Sequence, residues 1–178
     1  MSTAYAQTTS SLPVQTIRLG NVTLTVEIAN TPDTMQKGLM YHSPLTFNQG
    51  MLFVFNPPQV ATMWMKDMQF PIDMIWFDGN GTILHIEKNL PPCTGSDSSC
   101  VVYDGNGQVS SYVLETASGF VDHFSIDNTT KFVFITPGQS TSTTLPHFMV
   151  PEFGPITVLI FAIAITSMIV VKTRLRLS

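Results

Sequence analysis

Charge is what this chain has least of. Lys, Arg, Asp and Glu make up 11% of its 178 residues, against roughly 25% in ordinary soluble domains. So small a charge set argues against a disordered charged tail and against a typical cytosolic enzyme surface. Basic residues are rarer still. Before residue 155 there are five (Arg18, Lys37, Lys66, Lys88, Lys131), against all twelve acidic ones. A body this acidic repels phosphate backbones, which argues against nucleic acid as a partner. Cysteine occurs twice, too seldom for a four-cysteine zinc site or a dense disulfide scaffold. Neither Gly-x-Ser-x-Gly nor Ser-x-x-Lys is present, so no recognised nucleophile motif recommends an enzyme. The four histidines (His42, His85, His123, His147) lack His-Glu-x-x-His or any other zinc spacing. No catalytic residue and no resident cofactor is assigned on these grounds.

What is present begins at the ends. Residues 155–171 form a run of 17 without a charge, about 25 Å of helix at ~1.5 Å per residue, the short end of a bilayer span. Lys172, Arg174 and Arg176 follow it directly. The positive-inside rule keeps them cytoplasmic and puts the folded part outside. The expected partner is therefore the membrane, and the expected location is the cell membrane with an extracytoplasmic domain. At the other end Ala4-Tyr5-Ala6 has the small-x-small form of a signal-peptide cleavage site. Residues 1–13 then read as the remnant of an export signal or as a disordered start, the true N-terminus lying upstream.

Residues 136–148 contain six Ser or Thr and two Pro in 13 positions. Such a stretch buries too little to fold and reads as a stalk, taken here as 136–150. After it come Pro151-Glu152-Phe153-Gly154, the apolar run and the basic end. That order resembles the C-terminal sorting signals of archaeal surface proteins. The resemblance implies processing by an archaeosortase-like transpeptidase and replacement of the helix by a lipid, as with GPI tails. A permanent single-pass anchor over 151–178 is the alternative.

The cysteines agree with export. Cys93 and Cys100 flank a polar Thr-Gly-Ser-Asp-Ser-Ser loop, and an oxidising compartment favours their pairing. Asn21, Asn80 and Asn128 each begin an Asn-x-Thr triplet compatible with surface glycosylation.

Between the ends, residues 14–135 read as one β-rich domain. Val22, Leu24, Val26 and Ile28 alternate with polar residues, and with residues 16–19 and the Gly20-Asn21 turn they form a hairpin. Thr31 as N-cap and Pro32 at the first helical position start a short helix that ends near Gly38. Apolar runs of strand length follow at 51–55, 61–65, 74–77, 83–87, 112–115 and 131–135. Turn signals separate them, including Asn56-Pro57-Pro58 and residues 78–81. The fold expected is mainly β (α+β), a compact mixed sheet or partly closed barrel of about eight short strands with one or two short helices, plus the C-terminal membrane helix.

Lys37-Gly38-Leu39-Met40, Gly50-Met51-Leu52-Phe53-Val54-Phe55, Trp64-Met65-Lys66-Asp67 with Pro71-Ile72-Asp73, and Val113-Leu114-Glu115 with Gly119 together resemble the domain-of-unknown-function 192 family. The likeness runs from residue 22 to about 135. It departs at His42, where arginine is usual, at Met68, where threonine is, and at Asn128-Thr129-Thr130, where a Gly-Asp turn is. The resemblance implies a small β-rich domain, often exported, and no activity.

Three constellations remain as candidate chemistry. Lys66, Asp73 and Glu115 are charges set within apolar strands. They read either as the lining of a small polar ligand's cleft, with Asp67 beside them, or as architecture. In the architectural version Asp73 accepts backbone N–H bonds and Glu115 pairs with Lys66 or Lys88. Met63, Met65 and Met68 have a thioether spacing that suits copper(I), with Met40 or His42 to complete a site; the plain alternative is core filling. Phe47, Phe53, Phe55, Trp64, Phe70, Trp76, Phe77, Phe132 and Phe134 could line a carbohydrate groove, but their strand spacing favours the core. The expectation is an exported binding or envelope domain. A copper(I) or small-ligand carrier is the alternative, and an unrecognised hydrolase using Asp73 and Glu115 the third.

Overall fold

A computed structural model describes residues 12–135. The expected export remnant, stalk, Pro-Glu-Phe-Gly element and membrane helix fall outside these residues, apart from residues 12 and 13. Nine strands and two short α-helices appear among the described residues, in the order β1 (Val14–Leu19), β2 (Val22–Ala29), α1 (Pro32–Lys37), β3 (Gln49–Val60), β4 (Met63–Trp64), β5 (Ile72–Phe77), β6 (Ile83–Leu90), β7 (Val102–Tyr103), β8 (Val109–Ala117), α2 (Phe120–His123) and β9 (Phe132–Phe134). Seven strands make one sheet in the order β6-β5-β8-β3-β2-β1-β9, and β4 with β7 forms a separate ribbon.

The alternating β1–β2 segment pairs as the hairpin its pattern implies, Leu19 opposite Val22. β2 and β3 then run parallel. A parallel pair needs a crossover rather than a tight turn, and α1 with the loop after it supplies that. Thr31 caps α1, its hydroxyl accepting from Thr34 N–H at 3.3 Å while Thr34 Oγ1 accepts from Thr31 N–H at 3.0 Å. Pro32 occupies the first turn, where no N–H is missed.

The sheet curls into a half-barrel, its two edges meeting at one corner. Thr82, beside β6, bridges Lys131, beside β9, and Phe132 N–H donates to Gly81 C=O at 2.9 Å. Gly81 sits at φ +75°, and a side chain there would collide with the Phe132 carbonyl.

Two elements differ from the sequence reading. Asn56-Pro57-Pro58, read as a turn, lies within β3. Prolines cannot donate to a ladder, and the β3–β8 register accordingly shifts between Val54 and Gln59. The strand accommodates them as a bulge instead of stopping. The run 61–65 contributes only Met63–Trp64 as strand, since its partner is the two-residue β7.

Both faces of the sheet are covered. One face packs Ile17, Leu24, Leu52, Ile75, Phe77, Leu114, Phe120 and Phe132; the other packs Met51, Phe53, Phe55, Met74, Trp76 and Val113 beneath Leu39 and the β4 ribbon. That is why 74–77 reads as a continuous apolar run, and all six residues of β5, Asp73 included, are buried. Most of the aromatic set is core, as its spacing implies: Phe53, Phe55, Phe70, Trp76, Phe77 and Phe132 are buried.

Cys93 and Cys100 are joined by a disulfide, their Cα atoms 5.7 Å apart. The loop it closes is tied down by Cys93 N–H to Met65 C=O at 2.8 Å and Asp67 N–H to Cys93 C=O at 3.1 Å. Replacing both cysteines with serine should cost ~2.5 kcal/mol in the chain-entropy treatment of so short a ring. Urea unfolding of the variant and of reduced wild type should then give the same lowered midpoint.

Candidate functional site

Glu115 is the chemical centre of the described domain. On β8 it stands opposite Met51 of β3 and opposite Met74 of β5. Directly opposed residues in antiparallel strands share a face, so its carboxyl rises between two methionines. Above it lies a cavity of about 20 Å³ lined by Met35, Lys37, Met40, Met63, Lys66 and Met68 as well as Glu115. Glu115 is 3% exposed, and its Oε2 has no hydrogen-bond partner among the described residues. Burial pushes its pKa up to about 8, since a carboxylate in apolar surroundings loses its hydration.

The methionines are sorted. Of the seven in the described residues, Met35, Met51, Met63, Met65, Met68 and Met74 pack on this face, and Met40 lines the cavity. The opposite core is built of Ile, Leu, Val and Phe and holds none.

Outside the cavity lies an open cleft of about 440 Å³, bordered by Asp33, Gln36, Lys37, Met40, Trp64, Lys66, Asp67 and Asp97. Gln36, Lys37, Met40, Trp64 and Lys66 border both spaces, so the cleft adjoins the cavity. The disulfide loop carries Asp97 to Lys66, and the two form an ion pair. That hydrogen bond holds the Lys66 pKa above its ordinary value. Lys66 Nζ also lies 5.3 Å from the Trp64 ring centroid, a cation–π distance. Asp67, at φ +54°, accepts from Tyr41 OH at 3.3 Å, and Tyr41 is itself at φ +63°. Two side-chain-bearing residues in left-handed conformation at one rim mark a constrained loop pair.

The structure divides the Lys66, Asp73 and Glu115 trio. Lys66 and Glu115 border the same cavity, whereas Asp73 projects from the opposite face, because it pairs with Thr116 rather than Glu115. Its carboxylate accepts from Asn89 N–H at 2.8 Å, Gly119 N–H at 3.2 Å and Val121 N–H at 2.9 Å. Asp73 thus takes the backbone-bonding role that the architectural reading describes. With the sheet between them, Asp73 and Glu115 cannot act together on one substrate, as the hydrolase reading requires. Glu115 pairs with neither lysine proposed for it: Lys66 is held by Asp97 and Lys88 by Asp122 at 2.8 Å. Of the methionine triplet, Met63 and Met68 line the cavity and Met65 is packed in the core. Met40 joins the cavity, while His42 turns to Glu27 at 3.5 Å. Met35, Gln36 and Asp97 join the site with no motif in the sequence to mark them, and of α1 only Lys37, in the Lys37–Met40 motif, carries such a signal.

Comparison with known proteins agrees with the architecture. No curated protein matches the chain. A crystal structure from Sinorhizobium meliloti 1021, named as a candidate transcription regulator, is 30% identical with a TM-score of 0.63, over 70% of this chain and 95% of that one. A protein of unknown function from Novosphingobium aromaticivorans DSM 12444 superposes with a TM-score of 0.62 at 24% identity, over 74% of this chain and 93% of its own. The family described as uncharacterised ACR, domain of unknown function 192, matches residues 15–134. With so much of the chain matched, and with Lys37–Met40, Trp64, Lys66 and Glu115 of the likeness meeting at one cavity, this protein belongs to the domain-of-unknown-function 192 family.

Proposed function

We propose that this chain is an exported domain held at the cell surface by its C-terminal segment, and that it works there by binding a small polar or cationic ligand in the cleft between α1 and the β4–β7 ribbon. One observation carries the binding half: a buried carboxyl with an unpartnered oxygen at the floor of a cavity that borders an open cleft. Native interiors satisfy their buried polar groups, so an orphan facing a space is where a ligand atom belongs. Export is supported by the uncharged run at 155–171, the basic end and the Cys93–Cys100 disulfide. The Pro151-Glu152-Phe153-Gly154 element supports processing by an archaeosortase-like enzyme.

Transcription regulation, the name attached to the Sinorhizobium relative, finds no support in this chain's chemistry. Residues 12–135 hold five basic and eleven acidic side chains, and the helices described have six and four residues, too short to read a major groove.

Protease added to intact cells should remove the folded body, with the surface coat shown to be permeable to it. Native mass spectrometry of the domain taken from those membranes should find one small species per chain, lost in Glu115→Ala. A body that resists protease until the cells are broken would overturn the export half. A domain recovered empty, and unchanged in mass by Glu115→Ala beyond the substitution itself, would overturn the binding half.

A further inference from the structure

We propose that the cavity over Glu115 is a site for one copper(I) ion, held by methionine thioethers with the Glu115 carboxylate supplying the negative charge; this rests on the reading of the cleft as a binding site.

Size comes first. About 20 Å³ accommodates one atom or a single water, which needs roughly 10–15 Å³; an organic ligand does not fit. The donor set then selects among single occupants. Met35, Met40, Met63 and Met68 line the space, and Glu115 brings one carboxylate with a free oxygen. Calcium takes about 6–8 oxygens, and magnesium demands an octahedral oxygen or water shell; neither finds its ligands here. Zinc prefers imidazole and thiolate, and the described residues hold no cluster of three or more His, Cys, Asp or Glu. Water satisfies the orphan oxygen, with Gln36, Lys37 and Lys66 the other polar side chains at the border, but it leaves the four thioethers, weak acceptors and no donors, without a matched partner. A soft monovalent cation meets both demands at once, since thioethers bind copper(I) and its single charge neutralises one carboxylate.

Two further observations agree. All seven methionines of the described residues lie on this face or line the cavity, and the other core, equally apolar, holds none. Gap filling alone gives no reason for that partition. The approach carries a slight negative balance: Asp33, Asp67 and Asp97 border the outer cleft against Lys37 and Lys66, and Asp97 engages the Lys66 ammonium. The ion enters and leaves as copper(I), so no electron is transferred. Met65 is not a ligand in this arrangement; Met35 and Met40, from the other side of the cleft, take its place.

Anaerobic titration of the full chain with copper(I) against a competing chelator should give one ion per chain. Met63→Leu with Met68→Leu keeps the core volume and should weaken binding at least about 10- to 100-fold, the loss seen even for indirect partners of a metal site. His42→Leu should leave affinity unchanged. Absence of a one-to-one complex, or wild-type affinity in the double variant, overturns the proposal. Should that variant fail to fold, peroxide oxidation of the wild type mapped by mass spectrometry decides: silver(I), the redox-inert analogue, should protect Met35 and Met40, and oxidation at the unprotected rate overturns it. A chain that ignores both ions yet carries another small species loses this assignment and keeps the binding cleft. One that carries nothing loses both.

Discussion

Raising the pH of the metal-free domain from about 5 to about 9 should cost it several kcal/mol of stability, and Glu115→Gln should remove most of that loss. The sign follows from proton counting. Glu115 is fully buried, and burial raises its pKa from 4.5 in the free side chain to about 8 in the folded protein. Between those values the folded chain holds a proton that the unfolded chain has released, so stability falls with rising pH. The slope is about 1.4 kcal/mol per pH unit. The contribution is fully present below about pH 4.5 and has gone once the pH has passed through about 8. Glutamine keeps the shape and stays neutral, which flattens the curve. Lys66 borders the same cavity, but its pKa is held above the ordinary lysine value by Asp97, and both cysteines are disulfide-bonded, so no thiol complicates the alkaline limb. Urea midpoints at successive pH values measure the effect. A flat wild-type profile, or an unchanged slope in Glu115→Gln, contradicts the account.

Asp73→Ala should be costlier in a single step, destabilising the domain by about 3–5 kcal/mol, the range for breaking a buried charged network. Asp73 is wholly buried and accepts from three N–H groups, one near the end of β6 and two at the start of α2. Two of them, Gly119 and Val121, belong to the start of α2, whose N-cap is a glycine with no side chain to accept them. A helix start leaves such donors orphaned, and Asp73 caps α2 from the strand beside β8, on the same face of the sheet. The third, Asn89, is held at φ +55°. Asp73→Asn keeps one accepting oxygen and should lose roughly half as much. Amide exchange should quicken at Asn89, Gly119 and Val121 in both variants; protection equal to wild type at all three would remove this role from Asp73.

The two carboxylates show where reading the sequence ends. Asp73 and Glu115 look alike in it, each a lone acid within an apolar strand. What separates them is the alignment of β5 with β8: Met74 faces Glu115 and Asp73 faces Thr116. A shift of one residue would exchange their faces. Nothing within either strand reports that alignment, because both are buried on two sides and lack the polar alternation that marks a face. The methionine triplet divides for a related reason. The strand expected over 61–65 is cut short because pairing with β7 ends at Trp64, and Met63 and Met68 line the cavity while Met65 packs in the core.

Local chemistry was legible wherever it was sufficient. The β1–β2 hairpin follows from alternation around Gly20-Asn21, α1 from Thr31 and Pro32, and the disulfide from two cysteines seven positions apart. Each depends on neighbours within a few residues, so the chain itself carries the whole cause. The cavity depends on residues 35–40, 63–68 and 115 arriving at one place. That meeting was decided by the parallel β2–β3 crossover, which lays α1 over the sheet, and by the disulfide loop, which brings Asp97 to Lys66. Long-range packing chose it, and the energy that chose it is spread over two cores rather than written in any one segment.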